Sequence, residues 1–198
     1  MDTDAALHRR TFFGVLADAG LDHQLAEALY AVESDPQHNP FAEDVVPTLT
    51  TLHSAGLRLA VLSYIYFGLR PAFESAGLKG LIDAFVLSFE QGRQTPDPAM
   101  FVHALAALGT RADETLMVGD RVRPDGPAVG QGIPTLLLPP LEYPGQRRMR
   151  HVLALTGLTS GRASCRFGPL GVESGGDDSW SPAWRGVDVV EAVLSDGV

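Results

Sequence analysis

The stretch TLMVGDRVRPDGPAVGQGIPTLLL, residues 115–138, is the most informative part of the sequence about the fold. It begins with an apolar run that ends at Gly119, continues through a loop rich in glycine and proline, and ends with a second apolar run. Short apolar runs bounded by turn residues are typical of buried strands. The stretch therefore predicts two buried strands, and it places Asp120 and Asp125 just after the first of them.

Two similar apolar runs lie upstream, RLAVLS at 58–63 and AFVLS at 84–88. Segments with helical periodicity or helix-capping residues surround them; they cover residues 5–19, the segment after Asp22, residues 45–55, residues 69–76 and the segment from Asp97 to Gly109. Strands that alternate with helices at this spacing predict a parallel sheet with helices on both faces. In such sheets the functional site lies at the carboxyl ends of the strands.

The pattern weakens after residue 140. Residues 147–155 fit a helix, residues 159–182 are rich in Gly and Ser, and residues 187–194 are predicted to form a closing helix. Trp180 and Trp184 flank Pro182, which favours packing of this tail on the core, with an aromatic patch for a partner as the alternative. The predicted division is a helical cap region at 1–44, an α/β core at 45–140 and a C-terminal extension at 141–198.

Composition narrows the class of protein. The 198 residues suit one domain, with 45% hydrophobic residues and a mean hydropathy of +0.06. The net charge of −9 argues against nucleic acid and anionic membrane as partners, and the basic run RRMR at 147–150 is interpreted as a solvated face rather than a phosphate site. The single Cys165 and the lack of a long apolar segment predict a soluble, cytoplasmic protein.

Polar residues of the right kind follow three of the predicted strands. Ser63 ends the first, the loop GRQTPDP at 92–98 follows the second, and Asp120 and Asp125 follow the third. Two carboxylates just past a buried strand suit a hard cation such as Mg²⁺, which prefers oxygen ligands. The carboxyl edge of the sheet is therefore the predicted site.

The order and spacing of three stretches resemble the haloacid dehalogenase (HAD) superfamily. These stretches are LAVLSYIYFGLRPAFESAGL at 59–78, FVLSFEQGRQTPDPAMFVHALAALG at 85–109 and LMVGDRVRPDGPAVGQGIPTLLL at 116–138. The resemblance implies a Rossmann-like parallel sheet with a reduced helical cap. It also implies hydrolase chemistry, because phosphatases and dehalogenases of this superfamily use an Asp nucleophile.

The resemblance assigns roles to individual residues. Ser63 corresponds to the hydroxyl that binds the transferring phosphate, with Tyr64 and Arg93 as further phosphate-binding candidates. Thr95 stands at the position of the motif III lysine. Asp120 corresponds to the Mg²⁺ ligand and Asp125 supports it.

The first motif of the family, an apolar strand ending in DxDGT, has no counterpart at the start of the sequence. Asp2 and Asp4 have the D-x-D spacing, but only Met1 precedes them, and Ala6 stands where the motif requires Thr or Val. We interpret them as N-cap residues of the first helix. The central first strand is therefore expected to be missing, which leaves either direct pairing of its two neighbouring strands or an open slot between them. We expect a partner chain or a second copy in a homodimer to fill the slot.

Two more departures bear on activity. Thr95 lacks the charge of the family's lysine, and Tyr64 stands where the family often has Asn. With no Asp nucleophile, we predict a catalytically impaired or inactive protein that acts by binding or interaction, with a small phosphorylated ligand. The alternative is a Mg²⁺-dependent phosphohydrolase of a small phosphorylated metabolite whose true N-terminus lies upstream. Dehalogenation is less favoured, because the paired carboxylates indicate a metal that it does not use.

Overall fold

The computed structural model describes residues 4–35, 41–143 and 145–158, together with the backbone of residues 188–191. The strands within these residues are β1 (Leu59–Ser63), β2 (Ala84–Leu87), β3 (Thr115–Gly119), β4 (Thr135–Leu137) and β5 (Asp188–Glu191). They form a single five-stranded sheet in the order β2-β1-β5-β3-β4. All the pairings are parallel.

Helices cover both faces of the sheet, as the sequence predicts. Alternate residues of β1 face opposite sides: Leu59 and Val61 join one apolar cluster, whereas Ala60 and Leu62 join the other. The helices are α1 (Ala5–Asp18), α2 (His23–Glu33), α3 (Val45–Ser54), α4 (Arg70–Ser75), α5 (Ser88–Gln91), α6 (Pro98–Leu108), α7 (Val122–Asp125) and α8 (Arg150–Leu155). Residues of α3, α4 and α8 belong to the first cluster, and residues of α6 belong to the second.

The first two helices begin at aspartates whose carboxylates cap them. Asp4 accepts a hydrogen bond from the backbone N–H of Leu7 at 2.7 Å, and Asp22 accepts one from Leu25 at 2.9 Å. A carboxylate at this position satisfies an otherwise unpaired N–H and lies at the positive end of the helix dipole. The interpretation of Asp4 as a helix cap is confirmed, and Asp2 lies outside the described residues.

The prediction of a closing helix over 187–194 is wrong for residues 188–191, which form β5 at the centre of the sheet. Val189 pairs with Leu59 of β1 on one side and with Leu116 of β3 on the other. Two neighbouring β-branched residues favour a strand, and two parallel strands with facing unpaired edges favour insertion of a third. The expectation of a missing central strand is thus corrected: β5 of the same chain lies in that position.

The α1–α2 hairpin is attached to the core through an aromatic contact. His8 is buried, and its ring stacks on Tyr66 with centroids 3.3 Å apart and planes at 11°. Ser34, just after α2, lies 3.4 Å from the Tyr66 hydroxyl through its own hydroxyl oxygen. Tyr66 belongs to the loop that leaves β1, so the hairpin is fixed to a loop at the carboxyl edge of the sheet.

Several predictions fall outside what these residues can test. Cys165, Trp180, Trp184 and the stretch 159–182 lie outside the described residues. The division at residues 44 and 140, and the partner chain or homodimer, stay predictions. Among the described helices, none is both long enough and apolar enough to cross a membrane.

Candidate active site

The carboxyl ends of β1 and β3 are joined by a contact between their following loops. Ser63 is the half-buried last residue of β1. The next residue, Tyr64, accepts a hydrogen bond at its hydroxyl from the guanidinium of Arg121, which also lies 5.7 Å from the centre of the Tyr64 ring. The structure therefore brings Tyr64 to the loop that contains Asp120, across the position of β5.

Asp125 folds back onto the end of β3. Its Oδ2 accepts hydrogen bonds from the backbone N–H groups of Asp120 at 3.1 Å and Arg121 at 2.9 Å. Burial raises the pKa of the Asp125 carboxyl, and the charge of Asp120 raises it further, while the backbone hydrogen bonds act in the opposite direction. Gly119 makes this packing feasible, because a Cβ there would lie 2.3 Å from Oδ2 of Asp125.

Asp120 is engaged by a cation of the protein itself. Its Oδ2 lies 3.2 Å from both terminal nitrogens of Arg148, and the two side chains are 5% and 1% exposed. The backbone of this segment is held by Asp44, whose carboxylate accepts hydrogen bonds from the N–H groups of Arg148 and Met149 at 3.0 and 2.9 Å. The predicted Mg²⁺ ligand is therefore half of a buried ion pair.

Arg148 is the site residue that the sequence analysis missed. The interpretation of 147–150 as a solvated face is wrong at this residue, which is buried, although Arg147 fits it with an exposed ion pair to Glu43. Nothing local in the sequence separates the two arginines, because the pairing of Arg148 depends on a carboxylate at the end of a distant strand. The only available hint was the acidic pair Glu43 and Asp44, which hold residues 147–149 in place.

The loop after β2 contains the predicted site residues Arg93 and Thr95. Arg93 donates to the carboxylate of Asp97 at 2.9 Å in an exposed pair, so the structure joins it to its own loop. Thr95 is buried and precedes Pro96 through a cis peptide bond. Asp97 also accepts a hydrogen bond from the N–H of Ala99 at the start of α6. The main role of this loop in the described structure is to begin α6.

The residues predicted to bind Mg²⁺ do not fit a divalent cation in this arrangement. Asp120 is neutralised by Arg148, and the Oδ2 of Asp125 is directed at backbone N–H groups. The described part of the chain has no group of three or more His, Cys, Asp or Glu side chains arranged to hold a metal ion. A cation would have to displace Arg148 to reach Oδ2 of Asp120.

A parallel sheet covered on both faces, a helical hairpin on the loop after β1 and an aspartate pair behind a glycine at the end of β3 together fit an α/β protein of the HAD type. The chain belongs to the haloacid dehalogenase-like hydrolase family, which it matches over residues 3–131.

Relatives with known activities are phosphatases and dehalogenases. The chain is 34% identical over 101 residues to ribulose-1,5-bisphosphate 5-phosphatase of Halopiger xanaduensis, covering 50% of this chain and 42% of that protein. It is 34% identical over 83 residues to glyceraldehyde 3-phosphate phosphatase of Methanopyrus kandleri, covering 41% and 36%. The structure of 2-haloacid dehalogenase from Pseudomonas syringae is similar with a TM-score of 0.52 and 27% identity, covering 69% and 60%. The chain thus spans less than half the length of these two phosphatases.

Proposed function

We propose that the chain binds a small phosphorylated molecule at the carboxyl edge of the sheet and, with the residues described, turns it over poorly or not at all. The observation that carries the proposal is the contact between Tyr64 and Arg121 at that edge, beside Ser63 at the end of β1. A hydroxyl and a guanidinium are suitable donors for phosphate oxygens. The curated relatives support the ligand class, because both act on phosphorylated small molecules by name.

The same site supports the proposal of impaired turnover. Asp120 is committed to Arg148, and Thr95 supplies no charge at the position where the resemblance predicts lysine. The described part of β5 ends at Glu191, which pairs with Val61 of β1 and Val118 of β3. Both of these strands continue beyond that point toward the carboxyl edge of the sheet. The residues that would attack phosphorus are therefore not among those that the structure describes.

The second candidate is a Mg²⁺-dependent phosphohydrolase of a small phosphorylated metabolite. The phosphatase relatives favour it, and it requires a carboxylate nucleophile from residues outside those described together with release of Asp120 from Arg148. It would also require Asp125 to turn away from the backbone N–H groups that it faces, because neither carboxylate fits a magnesium ion in the described arrangement. A cytoplasmic location, predicted from the single cysteine, is part of either candidate.

Calorimetric titration with inorganic phosphate and with 4-nitrophenyl phosphate tests the first candidate. We expect measurable binding that weakens about 10-fold to 100-fold in Ser63→Ala or Arg121→Met, the range for losing a hydrogen bond to a charged group. Arg111→Met is the matched control, since Arg111 pairs with Asp113 on the surface. Equal affinities of wild type and both site variants would show that the edge is not the binding site.

Turnover of 4-nitrophenyl phosphate in Mg²⁺ separates the two candidates. We expect no turnover above the uncatalysed rate, because Asp120 is paired with Arg148 and the described residues supply no carboxylate nucleophile at this edge. Lack of a covalent nucleophile costs orders of magnitude in rate. Turnover by wild type that Asp120→Asn abolishes would establish the phosphohydrolase instead. Binding without turnover supports the first candidate.

A further inference from the structure

The Arg148–Asp120 pair lies where the family resemblance expects a metal ligand, and its geometry bears on which cation the site uses. Both terminal nitrogens of the guanidinium share one carboxylate oxygen at 3.2 Å. The arginine side chain is 1% exposed and the aspartate side chain 5%. A pair so well removed from water is poorly screened by salt, and either charge left alone would be costly.

The position of Arg148 is built into the fold. Asp44, just before α3, fixes the backbone of Arg148 and Met149 through two hydrogen bonds. The adjacent Arg147 pairs with Glu43, and the backbone N–H of Glu43 donates to the carbonyl of Gln146 at 3.1 Å. Met149 is itself fully buried in the core. The guanidinium is therefore delivered to Asp120 by a segment that is anchored on both sides.

The hydrogen bonding of Arg148 indicates that its ion pair with Asp120 is what compensates the cost of burying the guanidinium. Its Nε has no hydrogen-bond partner among the described residues, while both terminal nitrogens contact Asp120. A buried guanidinium with an unsatisfied donor is costly, and the carboxylate of Asp120 is the compensating charge that the structure provides.

We propose that Arg148 is a built-in cation that takes the place of a divalent metal ion at Asp120, so that the site holds its positive charge without Mg²⁺. Arginine is permanently charged, and a metal ion could reach Oδ2 of Asp120 only by displacing the guanidinium. The proposal rests on the proposed function, because it concerns the cation at the same site. It is tested by metal binding and not by phosphate binding, so either one can fail without the other.

The test is thermal unfolding with and without Mg²⁺ for wild type, Arg148→Met and the double variant Asp120→Asn/Arg148→Met. We expect the melting temperature of wild type to be independent of Mg²⁺. Arg148→Met leaves Asp120 buried and unpaired, so its melting temperature falls and Mg²⁺ raises it again, by about 3 to 6 °C for each tenfold increase above the dissociation constant. The double variant has no carboxylate at residue 120, so its melting temperature should not change with Mg²⁺.

Arg147→Met is the matched control, because it removes a neighbouring arginine whose ion pair is exposed. It should behave like wild type. If Arg148→Met does not fold without metal, refolding followed by circular dichroism replaces the melting curve, and recovery is expected only in Mg²⁺. A response of wild type to Mg²⁺ equal to that of Arg148→Met, or no response of Arg148→Met in either assay, would overturn the proposal.

Discussion

Gly119 has a specific packing role at the end of β3. A Cβ at this residue would lie 2.3 Å from Oδ2 and 2.5 Å from Cγ of Asp125, closer than nonbonded atoms approach. Asp125 in turn uses that oxygen to accept the N–H groups of Asp120 and Arg121. The glycine thus lets the loop fold back tightly enough to orient both carboxylates.

Gly119→Ala should therefore destabilise the chain by about 1–3 kcal/mol, the usual cost of overpacking a buried position. Urea unfolding followed by fluorescence measures the change. Gly130→Ala is the control, because a Cβ at Gly130 would meet no atom within 4 Å. Equal midpoints for the two variants would contradict the packing role.

The raised pKa of Asp125 gives stability a pH dependence with a definite sign. In the unfolded chain an aspartate titrates near about pH 3.9. Burial raises the pKa of Asp125 in the folded chain, so the folded state binds this proton more tightly. The contribution of Asp125 to the free energy of unfolding is therefore fully present below about pH 3.9. It is lost as the pH rises through the raised pKa of the folded state.

Asp125→Asn should remove that loss, so between about pH 4 and neutral pH its free energy of unfolding should fall less, or rise more, with increasing pH than that of wild type. Urea unfolding at a series of pH values measures the slope. Asp113→Asn is an informative control, because a hydrogen bond from Arg111 lowers the pKa of Asp113 and its contribution has the opposite sign. Parallel profiles for wild type and Asp125→Asn would contradict the prediction.

At the scale of elements, the sequence predicted most of what local signals determine. The helix ends at Gly56, Gly77 and Gly109 were predictable because each glycine adopts a positive φ angle that other residues avoid. β1 to β4 were predictable from short apolar runs bounded by polar turns. Asp4 and Asp22 marked helix starts by their side-chain chemistry.

β5 was not predictable in the same way, because its state depends on partners far away in the chain. The segment DVVEAVL at 188–194 has apolar residues that suit a strand or a helix, and local periodicity does not separate them. Pairing of Val190 with Ala60 and Met117 resolves the ambiguity in favour of a strand. The same reasoning explains Arg148, whose burial depends on a carboxylate at the end of another strand.

Val190→Pro should be strongly destabilising, on the order of 3 kcal/mol or more, because proline lacks the N–H of a strand paired on both sides. Asp188→Pro is the matched control, since proline is tolerated at the first residue of a strand. Chemical denaturation compares the two variants. A similar loss in both, or none in either, would indicate that residues 188–191 do not hold the centre of the sheet.

At the scale of the whole molecule, the sheet joins distant parts of the chain around its central strand. β5 separates β1 with its loop residue Tyr64 from β3 with its loop residues Asp120 and Arg121. The spacing of these loops, and so the shape of the candidate site, depends on a strand between them. The predicted partner chain or second copy and β5 would compete for the same slot.

Truncation after residue 187 opens that slot and tests which occupant the sheet accepts. With β5 gone, β1 and β3 present facing unpaired edges, and such edges recruit a strand from another molecule. We expect the truncated chain to form dimers or larger species in sedimentation velocity, and an excess of a peptide spanning residues 186–194 to reduce that association. The full-length chain is the reference. A monomeric truncated chain with native circular dichroism and no response to the peptide would mean that β1 and β3 pair directly, and that neither β5 nor a partner is needed to complete the sheet.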